Sequence, residues 1–299
     1  MKTRFAIAWT LALGLCLGSG SVAGQSRAVD MNAITNPIEA RDEIWIEEMT
    51  SIEVRDAIRA GKTTAIIAAG ALEENGPFNV TGKHNYIVES MAPAIARKLG
   101  NALVAPVVRL SPSGDINPPT GHMQYAGTIS LRQETYEAYL TDIVMSLARH
   151  GFKDIVLIGD SGGGEQDGMK AVADRLNAQW RGNPSRVYFI TEYYTEDKYG
   201  CEYMKAELGI VQQPDVCAAT RDLYHDSYEY EAIVALSDPN RIRPAERRKA
   251  GLFSINGVSM EPFEKTLANG LLLVDYRADI TVRAIKKAME EARRSTSGN

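Results

Sequence analysis

The chain has 299 residues, of which 44% are hydrophobic and 24% charged, and a formal net charge of −5. Its 38 Asp+Glu against 33 Lys+Arg exclude the basic footprint that nucleic-acid binding requires. The length suffices to bury a full core in one large domain or two small ones, and no stretch reads as a repeat, a low-complexity tract or a long linker.

The first element in chain order is a targeting segment. Lys2 and Arg4 precede an apolar run from Phe5 to Leu17, which is followed by small residues from Gly18 to Gly24. This is the three-part layout of a secretory signal, with cleavage after Ala23 or Gly24. The apolar run is too short to cross about 30 Å of hydrocarbon, and no later segment is long enough. The expectation is therefore a chain exported to the periplasm, with no stable membrane insertion once residues 1–23 are removed. Lipoprotein processing at Cys16 would need a small residue before it, where Leu15 stands. Residues 24–43 read as a flexible polar lead-in and residues 44–299 as the folded domain. Cys201 and Cys217 are the cysteines left after cleavage, and in an oxidising compartment they are expected to pair.

Within the domain, β-branched or apolar runs at 63–70, 103–108, 154–159 and 186–190 read as buried strands. Helical spacing appears at 51–60, 85–99, 133–150 and 166–180. This alternation predicts right-handed crossovers and a mainly parallel sheet covered on both faces, with the ligand site at the carboxyl ends of the strands.

Two strand ends carry chemistry. The first is Ala71-Leu72-Glu73-Glu74-Asn75-Gly76-Pro77, with His84 soon after; the second is Asp160-Ser161-Gly162-Gly163-Gly164. Glycines let the backbone turn sharply into a helix whose first amides favour anions. A purely structural turn explains those glycines but leaves Asp160 without a purpose. Of the four histidines, His150 precedes Gly151 at a helix end and reads as a cap, whereas His84 and His225 lie in polar, carboxylate-rich stretches and are better proton carriers or ligands. Gly159-Asp160-Ser161-Gly162-Gly163 also matches G-x-S-x-G. In that serine-hydrolase reading Ser161 is the nucleophile, and Asp215 or Asp222, then His225, follow in chain order.

Longer blocks carry a resemblance. The stretch Trp45-Ile46-Glu47-Glu48-Met49-Thr50 resembles the opening of creatininase (creatinine amidohydrolase) family proteins, and residues 70–77 resemble their Gly-Ser-x-Glu-Gln-His-Gly-Pro block. His122-Met123-Gln124-Tyr125-Ala126-Gly127-Thr128-Ile129-Ser130-Leu131 is similar to the His-x-x-Phe-Pro-Gly-Thr-Ile-Ser-Leu block. Residues 150–159 are similar to the strand leading into the family's Asn-Gly-His-Gly-Gly-Asn turn.

The resemblance implies a three-layer α/β/α sandwich with a mainly parallel central sheet, and a metal-dependent hydrolase of an amide or lactam C–N bond in a small molecule. It also implies a homo-oligomer, in the family often a hexamer. Carried over position by position, the family's first ligand is Glu73. Asn75 replaces the next histidine, His84 replaces an aspartate and Asp160 replaces the histidine of the turn. Imidazole and carboxylate are thus exchanged between two positions. Glu73, His84, Asp160 and Asn75 form the expected metal set, and three N/O ligands plus water suit one Zn²⁺ or Mn²⁺. His225 matches a family histidine that assists the leaving nitrogen. With Glu74 and with Tyr230, which stands where the family has a glutamate, it makes up the expected catalytic set. A binding protein that kept this fold without catalysis is the alternative from another class.

Overall fold

The computed structural model describes residues 29–39, 41–213 and 225–297. The expected signal segment, Cys217, Asp215 and Asp222 lie outside the described residues. The chain divides into two compact units, Met1–Ile34 and Thr35–Asn299. The described part of the first holds one turn, closed by the Ala33 amide on the Asp30 carbonyl at 3.0 Å.

The second unit is built on four parallel strands, β1 (Thr64–Ala69), β2 (Ala102–Val104), β3 (Asp154–Gly159) and β4 (Arg186–Phe189), in the spatial order β2-β1-β3-β4. The alternation of β1 explains its burial on both faces. Ala65, Ile67 and Ala69 enter one hydrophobic cluster, while Ile66 and Ala68 enter the other. The expected strand over 103–108 is shorter, because Pro106 has no N–H to give the ladder; pairing resumes only at the Ala69–Val108 bridge.

Four helices stand where the spacing places them: α1 (Ser51–Arg59), α2 (Lys83–Leu99), α3 (Gln133–His150) and α4 (Gly164–Gln179). The first is closed by a capping box, in which Thr50 accepts from the Glu53 amide and Glu53 reaches back to the Thr50 amide. His150 ends α3, as expected. Two further helices, α5 (Tyr228–Ser237) and α6 (Phe263–Ser297), complete the fold. All residues of α5 from Tyr228 to Ala235 are buried, so it carries no amphipathic stripe to read. Together α2, α5 and α6 cover one sheet face, and α1, α3 and α4 cover the other. The expected α/β/α sandwich is the observed fold. A short antiparallel hairpin, β5 (Ser254–Ile255) and β6 (Val258–Ser259), lies outside the main sheet.

The strand order turns at β1, which pairs with β2 on one side and with β3 on the other. Register is continuous from Thr64 opposite Asp154 to Ala69 opposite Gly159. The loops after β1 and β3 therefore leave the same edge side by side, at the point where doubly wound sheets open a crevice.

Candidate metal centre

Glu73 stands in the loop after β1, and that loop is folded by its own polar groups. The Glu73 amide donates to the Thr81 carbonyl, and Asn75 Nδ2 donates to the carbonyls of Glu73 and Val80, all at 3.0 Å. Asn75 is thus a clip that shapes the loop, and it does not line the cavity described below. Asn85 Nδ2 donates to the Ala71 carbonyl at 3.2 Å, which ties the first turn of α2 to the end of β1 and brings His84 beside Glu73.

Glu73, His84 and Asp160 converge, all almost fully buried, but not as three open ligands. His84 Nδ1 is 2.7 Å from Asp160 Oδ2, and its Nε2 is 3.2 Å from Glu73 Oε2. Tyr193 donates its hydroxyl to Asp160 Oδ1 at 3.1 Å. Burial and the neighbouring Lys83 push the His84 imidazole down, but its contacts with Asp160 and Glu73 outweigh them and lift it to about 9. A carboxylate oxygen therefore meets each ring nitrogen of His84, which bridges Glu73 and Asp160, the two carboxylates of the expected metal set.

The open donors are elsewhere. His122 Nε2 and His225 Nε2 each lie 3.7 Å from Glu73 Oε2. One donor atom from each of Glu73, His122 and His225 falls within 4.8 Å of the others. Each imidazole has its far nitrogen engaged: His122 Nδ1 bonds the Glu74 carboxylate, and His225 Nδ1 donates to the Glu74 carbonyl at 3.1 Å. An acceptor on Nδ1 selects the tautomer whose Nε2 carries the lone pair, which is how metal-binding histidines are usually held. His225 is kept neutral as well. Burial first, then the charges of Lys83 and His84, push it down to about 2. The two rings stack with centroids 4.5 Å apart.

Glu73 is presented to them by hydroxyls. Ser113 and Ser161 donate to its Oε1 at 2.8 and 2.7 Å, leaving Oε2 to the imidazoles. Burial raises this carboxyl, but the hydrogen bond and the field of His84 outweigh it and hold it well below the usual carboxylate range. A buried carboxylate oxygen facing two imidazole Nε2 atoms is a donor set that fits a divalent zinc-like ion. The same contacts bear on the nucleophile reading, since the Ser161 hydroxyl is spent on Glu73 and not on an imidazole.

The remaining expected residues frame the site. Glu74 orients both histidines, one through its carboxylate and the other through its carbonyl. Tyr230 packs edge-on to His84 with centroids 5.7 Å apart, and burial keeps its phenol protonated well above its ordinary range. Lys83 is fully buried; its ammonium bonds the His225 carbonyl and sits 4.7 Å from the Tyr230 ring centroid. His225 has a left-handed φ of 54°. Lys83, Ser113 and His122 were not singled out from the sequence. His122 had a usable signal, being one of four histidines and the first residue of a family-like block; Ser113 had none. A cavity of about 340 Å³ opens over Glu73, His122 and His225.

The chain matches the family model described as creatinine amidohydrolase over residues 47–225. It is 24% identical over 119 residues to a 3-dehydro-scyllo-inosose hydrolase of Thermotoga maritima, covering 40% of this chain and 36% of that protein. It is 27% identical over 115 residues to a creatinine amidohydrolase of Pseudomonas putida, covering 38% and 44%. The matched stretch thus spans less than half of either relative. Among solved structures, a creatininase variant of Zn–Zn type superposes with a TM-score of 0.55 at 18% identity, over 84% of this chain and 99% of that one. A manganese creatininase also gives 0.55 at 18% identity, over 84% and 98%. These structures share the fold, and the family match runs from the start of the domain through both strand ends to His225. On that match the chain belongs to the creatininase family.

Proposed function

We propose that this chain is a metal-dependent hydrolase of a C–N bond, an amide or lactam, in a small molecule. The observation that carries the reading is the convergence of Glu73 Oε2 with the Nε2 atoms of His122 and His225, each imidazole backed by Glu74. The donor set takes one divalent ion, Zn²⁺ or Mn²⁺, which when bound supplies a Lewis acid for the substrate carbonyl and makes water acidic near neutral pH. The hydrolase names of the two curated relatives and the Zn and Mn types of the solved creatininases support it.

The chain's own residues do the rest. Ser113 and Ser161 fix one oxygen of Glu73 so that the other points at the histidines. His84 neutralises Glu73 and Asp160 from behind, so that two buried carboxylates do not repel each other. His225, with Nδ1–H committed to a carbonyl, acts here as a ligand and not as the acid expected of it. Tyr230 keeps its proton and lines the cavity as a hydrogen-bond donor. Export to the periplasm and assembly into a homo-oligomer belong to the same proposal.

Reconstitution with Zn²⁺ or Mn²⁺ followed by metal analysis tests the reading. The expected result is one equivalent per chain in the wild type, with metal and amide hydrolysis lost together in His122→Ala. Wild-type protein that retains no metal sinks it.

A further inference from the structure

The three metal donors are held in different ways. Glu73 is fixed by the hydroxyls of Ser113 and Ser161, and His122 stands in a short 3₁₀ turn, Gly121–Gln124, where its amide donates to the Ser113 carbonyl at 3.1 Å. His225 alone of the three has left-handed backbone, with φ at 54°, a region that residues carrying a side chain seldom adopt. Its ring is tied at Nδ1 to the Glu74 carbonyl, 3.1 Å away. A bond to the ring does not fix the backbone behind it, and a left-handed residue persists only where its surroundings hold it there.

The backbone contact comes from Lys83. Its fully buried ammonium bonds the carbonyl of His225, 142 residues further along the chain, and lies 4.7 Å from the Tyr230 ring centroid. A lysine this deep is present for its contacts, because an ammonium is costly to take out of water. Its reach starts from a fixed point. Lys83 opens α2, its amide donates to the Val80 carbonyl at 3.2 Å, and Asn85 ties the same turn to the end of β1. A Cβ at Gly70 would lie 2.5 Å from Asn85 Oδ1, so that tie is as close as glycine permits. The next residue, His84, bridges Glu73 and Asp160. Consecutive residues of one helical turn thus serve the Glu73 side and the His225 side of the donor set. Charge balance in α5 gives no reason for a further buried cation, since Glu231 bonds Arg247 and Glu229 bonds Arg277.

We propose that Lys83 is a positioning residue of the metal centre: its ammonium, bonded to the His225 carbonyl, holds His225 in the left-handed conformation that turns Nε2 toward Glu73. The inference rests on the donor set Glu73, His122 and His225 and adds the backbone clamp on which that set depends. His225 is gripped twice, at the ring by Glu74 and at the backbone by Lys83. Without the clamp the residue returns to the ordinary region of negative φ. Its Nε2 then leaves the place 3.7 Å from Glu73 Oε2, and two donors remain of the three.

Lys83→Met removes the ammonium and keeps a flexible apolar stem in its place. Zinc affinity of the full chain, read by competition with a chromophoric chelator, should fall about 10–100-fold, the range for losing a group that orients a metal ligand. The visible spectrum of the cobalt-substituted variant should change with the loss of a nitrogen donor, which a role in packing alone would leave untouched. In a crystal structure of the metal-free variant, His225 should have left the left-handed region. If Lys83→Met does not fold, Lys83→Gln, whose nitrogen stands one bond nearer the backbone and falls short of the carbonyl, replaces it in each measurement with the same expected results. Wild-type zinc affinity with an unchanged cobalt spectrum, or a His225 that keeps its φ near 54° in the variant, would each overturn the assignment. A wild type that binds neither zinc nor cobalt would instead strike the hydrolase reading, and the metal-free crystal structures would still decide whether Lys83 holds His225.

Discussion

His84 and His122 differ in what meets their two ring nitrogens, and that difference separates a counter-ion from a ligand. His84 has a carboxylate at each nitrogen, and their contacts push its imidazole up to about 9. His122 has Glu74 at Nδ1 and keeps Nε2 turned toward the Glu73 oxygen. The role of Glu74 follows from this, and it is positional. Replacing an acceptor behind a metal-binding imidazole typically weakens metal affinity about 10–100-fold. Glu74→Gln keeps an oxygen but loses the charge, and should bind zinc within that range more weakly than wild type in competition with a chromophoric chelator, with its folding midpoint little changed because the side chain is partly exposed. An unchanged affinity would mean that His122 is not a ligand.

At the scale of elements, the carboxyl edge of β1 and β3 gathers the carboxylates, but helices set the angles at which the imidazoles arrive. The start of α2 is tied to the end of β1 through Asn85, and His225 lies just ahead of α5. The position of α5 depends in turn on α6. Arg277 of α6 binds Glu229 of α5 through Nε and Nη2, at 3.0 and 2.7 Å, and donates to the Tyr193 carbonyl at 2.7 Å. The two helices also approach closely at Gly270, where a Cβ would lie 2.5 Å from the Ala232 carbonyl oxygen. Gly→Ala inside a helix ordinarily gains about 1 kcal/mol. Here the atom in the way is backbone and cannot rotate aside, so an overpacking cost of about 1–3 kcal/mol prevails. Gly270→Ala should lower the urea midpoint; a raised midpoint would mean that α6 can shift without loss.

For the whole molecule, 38 Asp+Glu against 33 Lys+Arg leave no basic footprint for nucleic acid. Among the described residues no helix is long and apolar enough to cross a membrane. We propose that the exported chain begins near Gly24 or Gln25, because the small residues before that point are what a signal peptidase accepts. N-terminal sequencing of periplasmic material should read from there, and an intact Met1 in that soluble fraction would refute it. Cys201 is disulfide-bonded, while Cys217, its expected partner, lies outside the described residues.

What the sequence determined by itself was whatever depends on local pattern. Strand and helix periodicity placed the four central strands and the first four helices to within a few residues, and the strand-end rule placed Glu73 and Asp160 on one edge. The same patterning missed α5, since a helix buried on all sides has no polar face to mark its period. It grouped His84 with Glu73 and Asp160 correctly in space, yet chemistry at that spot turns on which nitrogen faces which oxygen. Only tertiary structure decided that, by bringing His122 and His225 from distant loops against Glu73 and by placing a carboxylate on each side of His84. A lone pair or a proton on an imidazole is set by its neighbours across the fold, and those neighbours, 48 and 151 residues away for His122 and His225, leave no trace in local spacing.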